Sequence, residues 1–342
     1  MVKAISLFSG SLASIIATEL VVREEGVDQV ALITFRSPFF EDYDRVKEEA
    51  ARIWPDLKFR SQSVKKRVEE LSNIKPGDSV VKNISCYGCR ELLLKRGKRF
   101  MERMQGDFMV TGEIIERRND IGKKELYEID KEVGVTGMVY RPLTSDFLEK
   151  TIPERKGWVS KGFSYRGDSS DELRKLRDEL GIDVSSNGFP AEERCKLTSF
   201  RYRKRLKDLL NEPNFTTNAL KLLEFDNYFK IPPDIKIVFG MEEEEKRELQ
   251  NYFLPSDLRV YLPSHEGPMS LVRSDWDSKD ENTINRVIDF TARATVSLSR
   301  VRDNCKIPVN YRFENDSETV RVDVFPIEKK RLEAYRIEPE LS

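Results

Sequence analysis

The chain has 342 residues, 39% of them hydrophobic, and its 59 Lys and Arg against 60 Asp and Glu leave a formal net charge of −1. That length accommodates two domains, each with its own core. The balanced charge excludes a global field drawing the chain onto nucleic acid, so any such binding rests on local patches. No long apolar run, signal peptide or lipidation motif stands in the sequence, and the expected location is the cytoplasm.

Taken in order, Ala4–Phe8 reads as a buried strand, Ser9-Gly10-Ser11 as a tight turn, and a helix starts near Leu12. A strand that runs through a small-residue turn into a helix gathers backbone N–H groups and a helix N-terminus at one point, which suits an anion such as phosphate. The turn has no Gly-Lys-Ser/Thr and no third glycine, so it is neither a Walker loop nor a dinucleotide fingerprint. Its plainer reading is an ordinary turn with a serine cap. Gln29–Phe35 is an apolar run of the kind buried in a parallel sheet. A charged helix over Tyr43–Trp54, a strand over Leu57–Ser63 and a basic helix over Val64–Leu71 follow. Asn83–Cys89 reads as a polar loop, Arg90–Met104 as a basic amphipathic helix, and Asp107–Thr111 as a strand closed by Gly112. The alternation predicts an α/β fold, a doubly wound parallel sheet with its ligand at the carboxyl ends of the strands. Phe8, Ser9, Gly10, Ser11 and Ser14, with Phe35, Thr111 and Gly112, fall at such ends and form the candidate nucleotide pocket.

From Gly137 to about Pro213 the pattern loosens to a strand (Met138–Tyr140), a helix (Asp171–Leu180) and a basic helix (Phe200–Leu210). A linking helix over Thr217–Phe225 then leads to strands at Ile235–Phe239, Leu258–Leu262, Met269–Val272, Pro308–Phe313 and Thr319–Phe325. Helices are expected over Met241–Phe253 and Glu281–Val301. This is the grammar of a smaller α+β domain with hairpins, so the domains are expected at residues 1–215 and 225–342.

Four cysteines are too few for a secreted disulfide framework and lean towards metal or sulfur chemistry in a reducing compartment. The one histidine, His265, excludes a multi-His site. Cys86 and Cys89 are spaced for a metal, an iron–sulfur cluster or a redox pair, and Cys195 sits before a second basic helix. Three thiols with one open coordination position suit a cluster that holds sulfur; a structural zinc and unlinked thiols are the blander alternatives. Cys305 reads as a packed core residue. Lys95, Arg96 and Arg99 form one basic cluster, and Arg201, Arg203, Lys204 and Arg205 another. Such runs are usually solvated helix faces, but both follow the cysteine segments directly, which would put thiols and RNA-binding cations on one side.

These segments together resemble the tRNA-thiolating, thiouridine synthetase-like branch of the PP-loop ATP pyrophosphatase superfamily. Ser9-Gly10-Ser11-Leu12-Ala13-Ser14 is similar to its Ser-Gly-Gly-x-Asp-Ser loop, with Ser11 in place of a glycine and Ala13 in place of the aspartate. Cys86–Cys89 with the helix after it, Asp107–Glu113, Arg141–Leu143, Thr151–Val159 and Cys195–Thr198 match further family segments. The resemblance implies ATP with Mg2+ bound by the loop and Thr111-Gly112-Glu113. It also implies a tRNA substrate whose uridine oxygen is adenylated, and sulfur delivered as a persulfide or on a cluster at Cys86, Cys89 and Cys195. A protein persulfide or sulfide would be the donor, and dimers are common in similar proteins. The altered loop, with Glu116-Arg117-Arg118 and Glu193-Arg194 where the family has Gln-Arg-Pro and Gly-Gly, implies impaired ATP turnover. The alternative is a non-catalytic relative that binds RNA and a cluster. A rival reading keeps activity by moving the metal ligand to Glu113 or Glu116. The C-terminal domain resembles an RNA-associated module fused to such enzymes.

Overall fold

The computed structural model describes residues 1–37, 39, 43–63, 86–117, 121–160, 162–184, 195–196, 199–212, 216–263, 267–301 and 305–337. They divide into two units, Met1–Arg203 and Lys204–Ser342, and the division falls inside the helix Phe200–Leu209. The basic helix expected over residues 64–71 lies outside the described residues, as do His265 and residues 118 and 193–194.

In the first unit β1 (Lys3–Leu7), β2 (Gln29–Arg36), β3 (Lys58–Ser63), β4 (Phe108–Val110) and β5 (Val139–Tyr140) form a five-stranded sheet in the order β3-β2-β1-β4-β5. Every pairing is parallel. Strand alternation sends Ala4, Leu32, Phe108 and Val110 to one face, where they pack with the helices Leu12–Val22, Tyr43–Ile53 and Ser170–Glu179. Ile5, Ala31, Ile33 and Met109 point the other way, into a second core with the helices Cys86–Arg103 and Lys123–Val133. Both faces are covered, which is why the strands read as apolar runs rather than alternating ones. The direction of the strand order reverses between β1 and β4, where such sheets open a crevice at their carboxyl ends.

The second unit is a six-stranded antiparallel sheet of β6 (Asn227–Ile231), β7 (Ile235–Gly240), β8 (Leu258–Tyr261), β9 (Met269–Arg273), β10 (Ile307–Phe313) and β11 (Val320–Val324). Its order is β11-β10-β8-β9-β7-β6. The helix Glu281–Leu298 lays Val287, Ile288, Ala292 and Val296 on one face of it. That helix starts at Asp280, whose side chain accepts from the Thr283 N–H at 2.6 Å; the bond holds the Asp280 carboxyl below its usual range.

Two sequence expectations are corrected here. Cys86–Cys89 is not loop but the first turn of the helix Cys86–Arg103. Tyr87 packs against the second core and hydrogen-bonds Glu132, so tertiary docking carries the helix through a Gly-containing turn. Cys305 is exposed rather than packed in the core.

Candidate functional site

The loop after β1 is built from serine hydroxyls around a helix N-terminus. Gly10 adopts φ +73°, a conformation that glycine takes without strain. Ser11 caps the helix Leu12–Val22 by accepting from the Ser14 N–H at 3.2 Å. Ser9 Oγ lies 3.0 Å from Ser11 Oγ and 3.2 Å from Ser14 Oγ, and Ser14 Oγ donates to the Ser11 carbonyl at 2.9 Å. The helix dipole and the N–H groups of that first turn make this end electropositive. Gly112, after β4, packs on the same turn: a Cβ there would stand 2.5 Å from the Ala13 carbonyl carbon and the Ser14 nitrogen. The β1 and β4 loops therefore touch backbone to backbone, and only a glycine fits.

Not every candidate faces this point. Phe8 is buried, edge-on to Trp54 with ring centroids 5.7 Å apart, and Phe35 belongs to the second core. Their side chains are packing. Ala13, where the resemblance would have an aspartate, is 2% exposed.

The acidic residue after β4 has been taken over by arginines. Glu113 accepts from Arg141 Nε at 2.6 Å and from Thr111 Oγ1 at 3.1 Å, and its other oxygen meets Arg90 Nε at 2.9 Å. Arg141 in turn grips Asp130 with both Nη atoms at 2.8 and 2.9 Å. Burial works against the Glu113 carboxylate, but the charges of Arg141 and Arg90 outweigh it and hold the group below the usual carboxylate range. Burial pushes Asp130 up against the pull of Arg141. Burial also opposes the Arg141 charge, and the two carboxylates more than offset it. Arg90 Nη1 remains buried without a hydrogen-bond partner among the described residues. Glu116, the other acid that the rival reading would make a metal ligand, is held by Arg166 at 2.6 and 2.9 Å. None of these arginine pairings was legible in the sequence, because they join residues 11, 23, 28 and 50 positions apart.

The cysteine segments lie toward the same end of the sheet. Cys89 is half-buried in the first turn of a helix whose Arg90 reaches Glu113, beyond β4. Tyr87, between the two cysteines, is anchored on the neighbouring helix; burial first, then its bond to Glu132, pushes its phenol up to about 12. Cys195 is buried, and the next N–H, of Lys196, donates to the Phe39 carbonyl beyond β2 at 3.0 Å. The Cys86 side chain lies outside the described residues. Among those described, no group of three or more His, Cys, Asp or Glu side chains is arranged to hold a metal ion.

The two basic helices differ. On Cys86–Arg103, Arg99 is exposed, Lys95 is paired with Glu91, and Arg96 is half-buried. On Phe200–Leu209, Arg201, Arg203 and Lys204 lie on the exposed side. Arg205 does not belong with them. It is 0% exposed, its guanidinium donates to the carbonyls of Leu223, Phe225 and Asp226, and it stacks 5.1 Å over the Tyr228 ring. A helical period places every third or fourth residue of a basic run inward, and Arg205 shares that inward stripe with Tyr202, Leu206 and Leu209.

Residues 227–336 match the family model described as the NFACT protein RNA binding domain. No curated protein matches the chain in sequence. Among solved structures, the chain is similar to the U34-tRNA thiolase NcsA from Methanococcus maripaludis with its [4Fe-4S] cluster, at 13% identity and TM-score 0.30, over 65% of this chain and 70% of that one. It is also similar to a predicted subunit of tRNA methyltransferase from Methanocaldococcus jannaschii, at 17% identity and TM-score 0.30, over 55% and 92% of the two chains. A third likeness is to the C-terminal part of the fibronectin/fibrinogen-binding protein from Streptococcus suis, at 10% identity and TM-score 0.27, over 79% and 89%. No described helix is long and apolar enough to cross a membrane.

Proposed function

We propose that this chain is an RNA-binding protein whose N-terminal unit is a divergent, thiouridine synthetase-like scaffold that binds a phosphate-bearing ligand without adenylating RNA. The observation that carries the reading is the match to an RNA-binding module over residues 227–336, which spans the six strands of the second sheet. tRNA is the RNA that the sequence resemblance implies. The exposed Arg201, Arg203 and Lys204 would add phosphate contacts.

The geometry after β1 supports phosphate binding: a glycine at φ +73° and a serine-capped helix N-terminus. It does not fit the Mg2+ that adenylation would need. Mg2+ takes carboxylate oxygens, yet the loop position is the buried Ala13 and Glu113 is committed to Arg90 and Arg141, while Glu116 faces Arg166 in a surface pair. ATP would bind here through its phosphates alone.

The three thiols stand as the place for an iron–sulfur cluster or persulfide sulfur. Cys89 at a helix N-terminus supports that reading, because such a position stabilises a thiolate. Iron and sulfide content after purification without oxygen, compared with Cys89→Ala and Cys195→Ala, tests it.

The test of the main reading pairs tRNA binding with pyrophosphate release from ATP in the presence of Mg2+ and sulfide. Binding without release is the expected result. Release that depends on tRNA would restore the sulfurtransferase reading, with its ligands elsewhere.

A further inference from the structure

The six-stranded sheet has two unlike faces. Phe229, Ile237, Val260 and Val309 point into the core beneath the helix Glu281–Leu298. The opposite face carries cations toward both ends, with the buried Tyr228, Val238 and Leu271 between them, and its pairings are read from the strand register. Lys230 lies beside Lys236 and Lys236 beside Arg273 at one end of the sheet. Arg259 lies beside Arg312, Tyr261 beside Asn310, and Asn310 beside Arg321 at the other.

Among the described residues, only the first end is closed. Lys230 holds both oxygens of Asp208 at 2.7 Å, Lys236 pairs with Glu212, and Arg273 donates to Asn218 at 2.8 Å and to Asp257 at 2.6 and 2.9 Å. Asp208, Glu212 and Asn218 come from segments packed over that half, and Asp257 stands just before β8. At the other end Tyr261, Asn310 and Arg312 are half-buried and Arg321 is exposed. Just before β10, Lys306 keeps the same alternation as Asn310 and Arg312. Its Nζ lies 6.0 Å from the ring centroid of Phe325, which is 49% exposed. The acids nearby are partly spent: Arg259 grips Glu314 at 2.6 and 3.1 Å, and Arg312 reaches the same carboxylate only at 3.9 Å. Asp323 faces Arg321 at 3.5 Å with both side chains more than half exposed, a pair that holds weakly.

We propose that this open half of the sheet is where the chain takes single-stranded RNA. Bases stack on Phe325 and Tyr261, and phosphates meet Lys306, Arg312 and Arg321. The inference rests on the RNA-binding reading above and adds the face and the form of RNA. A sheet that presents separated aromatic rings among cations suits unstacked bases, because every base has a π-face, whereas a duplex keeps its bases stacked inside. Charge complementarity favours the same occupant: the unclosed half offers three cations outside its strong ion pairs, and a polyanion supplies their counter-charge.

The test is fluorescence anisotropy of a labelled single-stranded 12-mer RNA with the full chain, with a duplex of the same sequence for comparison. Phe325→Ala is expected to weaken single-strand binding about 5- to 150-fold, the range for losing one stacked base. Tyr261→Ala is expected to do the same. Lys306→Gln with Arg312→Gln should lower the slope of log K against log salt by about 1.4, two phosphate contacts' worth. Lys175→Gln, an exposed cation on the helix Ser170–Glu179, should change neither quantity. Melting temperatures within a few degrees of wild type keep the comparison fair, and Phe325, at the surface, is the variant least exposed to folding effects. RNA binding by wild type with all face variants within twofold, or tighter binding of duplex than single strand, would overturn the assigned face and leave the RNA-binding reading intact. No RNA binding by wild type would overturn both.

Discussion

Arg141 Nε donates to Glu113 Oε2 at 2.6 Å, at the carboxyl end of the parallel sheet where the sequence resemblance would have a nucleotide site. Arg90 closes the other oxygen of the same carboxylate at 2.9 Å. An acid clamped between two guanidiniums is a structural tie between the loops after β4 and β5 and the helix that begins with the cysteine pair. It is not a spare ligand for a cation.

That tie should be visible in stability. Removing one partner of a buried ion-pair network leaves an uncompensated charge, which costs about 3–5 kcal/mol. Glu113→Gln is therefore expected to lower the urea midpoint of the first unit by a corresponding amount, with Arg141 left to Asp130 alone. A loss below about 1 kcal/mol would mean the network adds nothing net.

Glu113 is held below its unfolded value of about 4.3, so its contribution is complete above that pH and is lost as pH falls through the lower folded value. Asp130, pushed up by burial, works the other way and loses its contribution as pH rises. Unfolding measured between about pH 3 and pH 7 should show an acid limb for wild type that flattens in Glu113→Gln. Equal slopes in the two proteins would remove Glu113 from the account.

Gly112→Ala probes the contact between the β1 and β4 loops. Its Cβ would meet Ala13 and Ser14 backbone at 2.5 Å, so something must shift. The expected cost is about 1–3 kcal/mol, with weaker pyrophosphate binding by calorimetry because the serine turn moves. Unchanged stability would show that the two loops are not in contact.

The paired arginines of the basic helix separate structure from binding. Arg205→Met strips donors from the Leu223, Phe225 and Asp226 carbonyls and is expected to cost about 2 kcal/mol or more. Arg201→Gln with Arg203→Gln, both exposed, should leave stability within about 0.5 kcal/mol and reduce the salt slope of tRNA binding. The opposite pattern would exchange their roles.

Much of the architecture was legible because local signals agree with it. The apolar runs of β1, β2 and β4 and the serine turn fix the parallel sheet, and the hairpin spacing of β8 to β11 fixes the antiparallel one. β6 and the helix Lys123–Val133 were missed. The five-residue Asn227–Ile231 alternates polar and apolar too briefly to stand out, and the helix is a polar segment whose apolar stripe is narrow. The site was less legible than the fold, for one reason. Which acids stay available, and which cations turn inward, depends on partners far along the chain: Arg141 decides Glu113, and the carbonyls of residues 223–226 decide Arg205.

The measurement closest to the central claim is a binding isotherm of labelled tRNA with the full chain at about 100 mM salt, without ATP. The account predicts saturable binding with Kd at or below the micromolar end of non-specific affinity, about 10⁻⁶ M, weakening steeply as salt rises. No saturable binding up to about 10⁻⁴ M, or binding that salt leaves untouched, would contradict it.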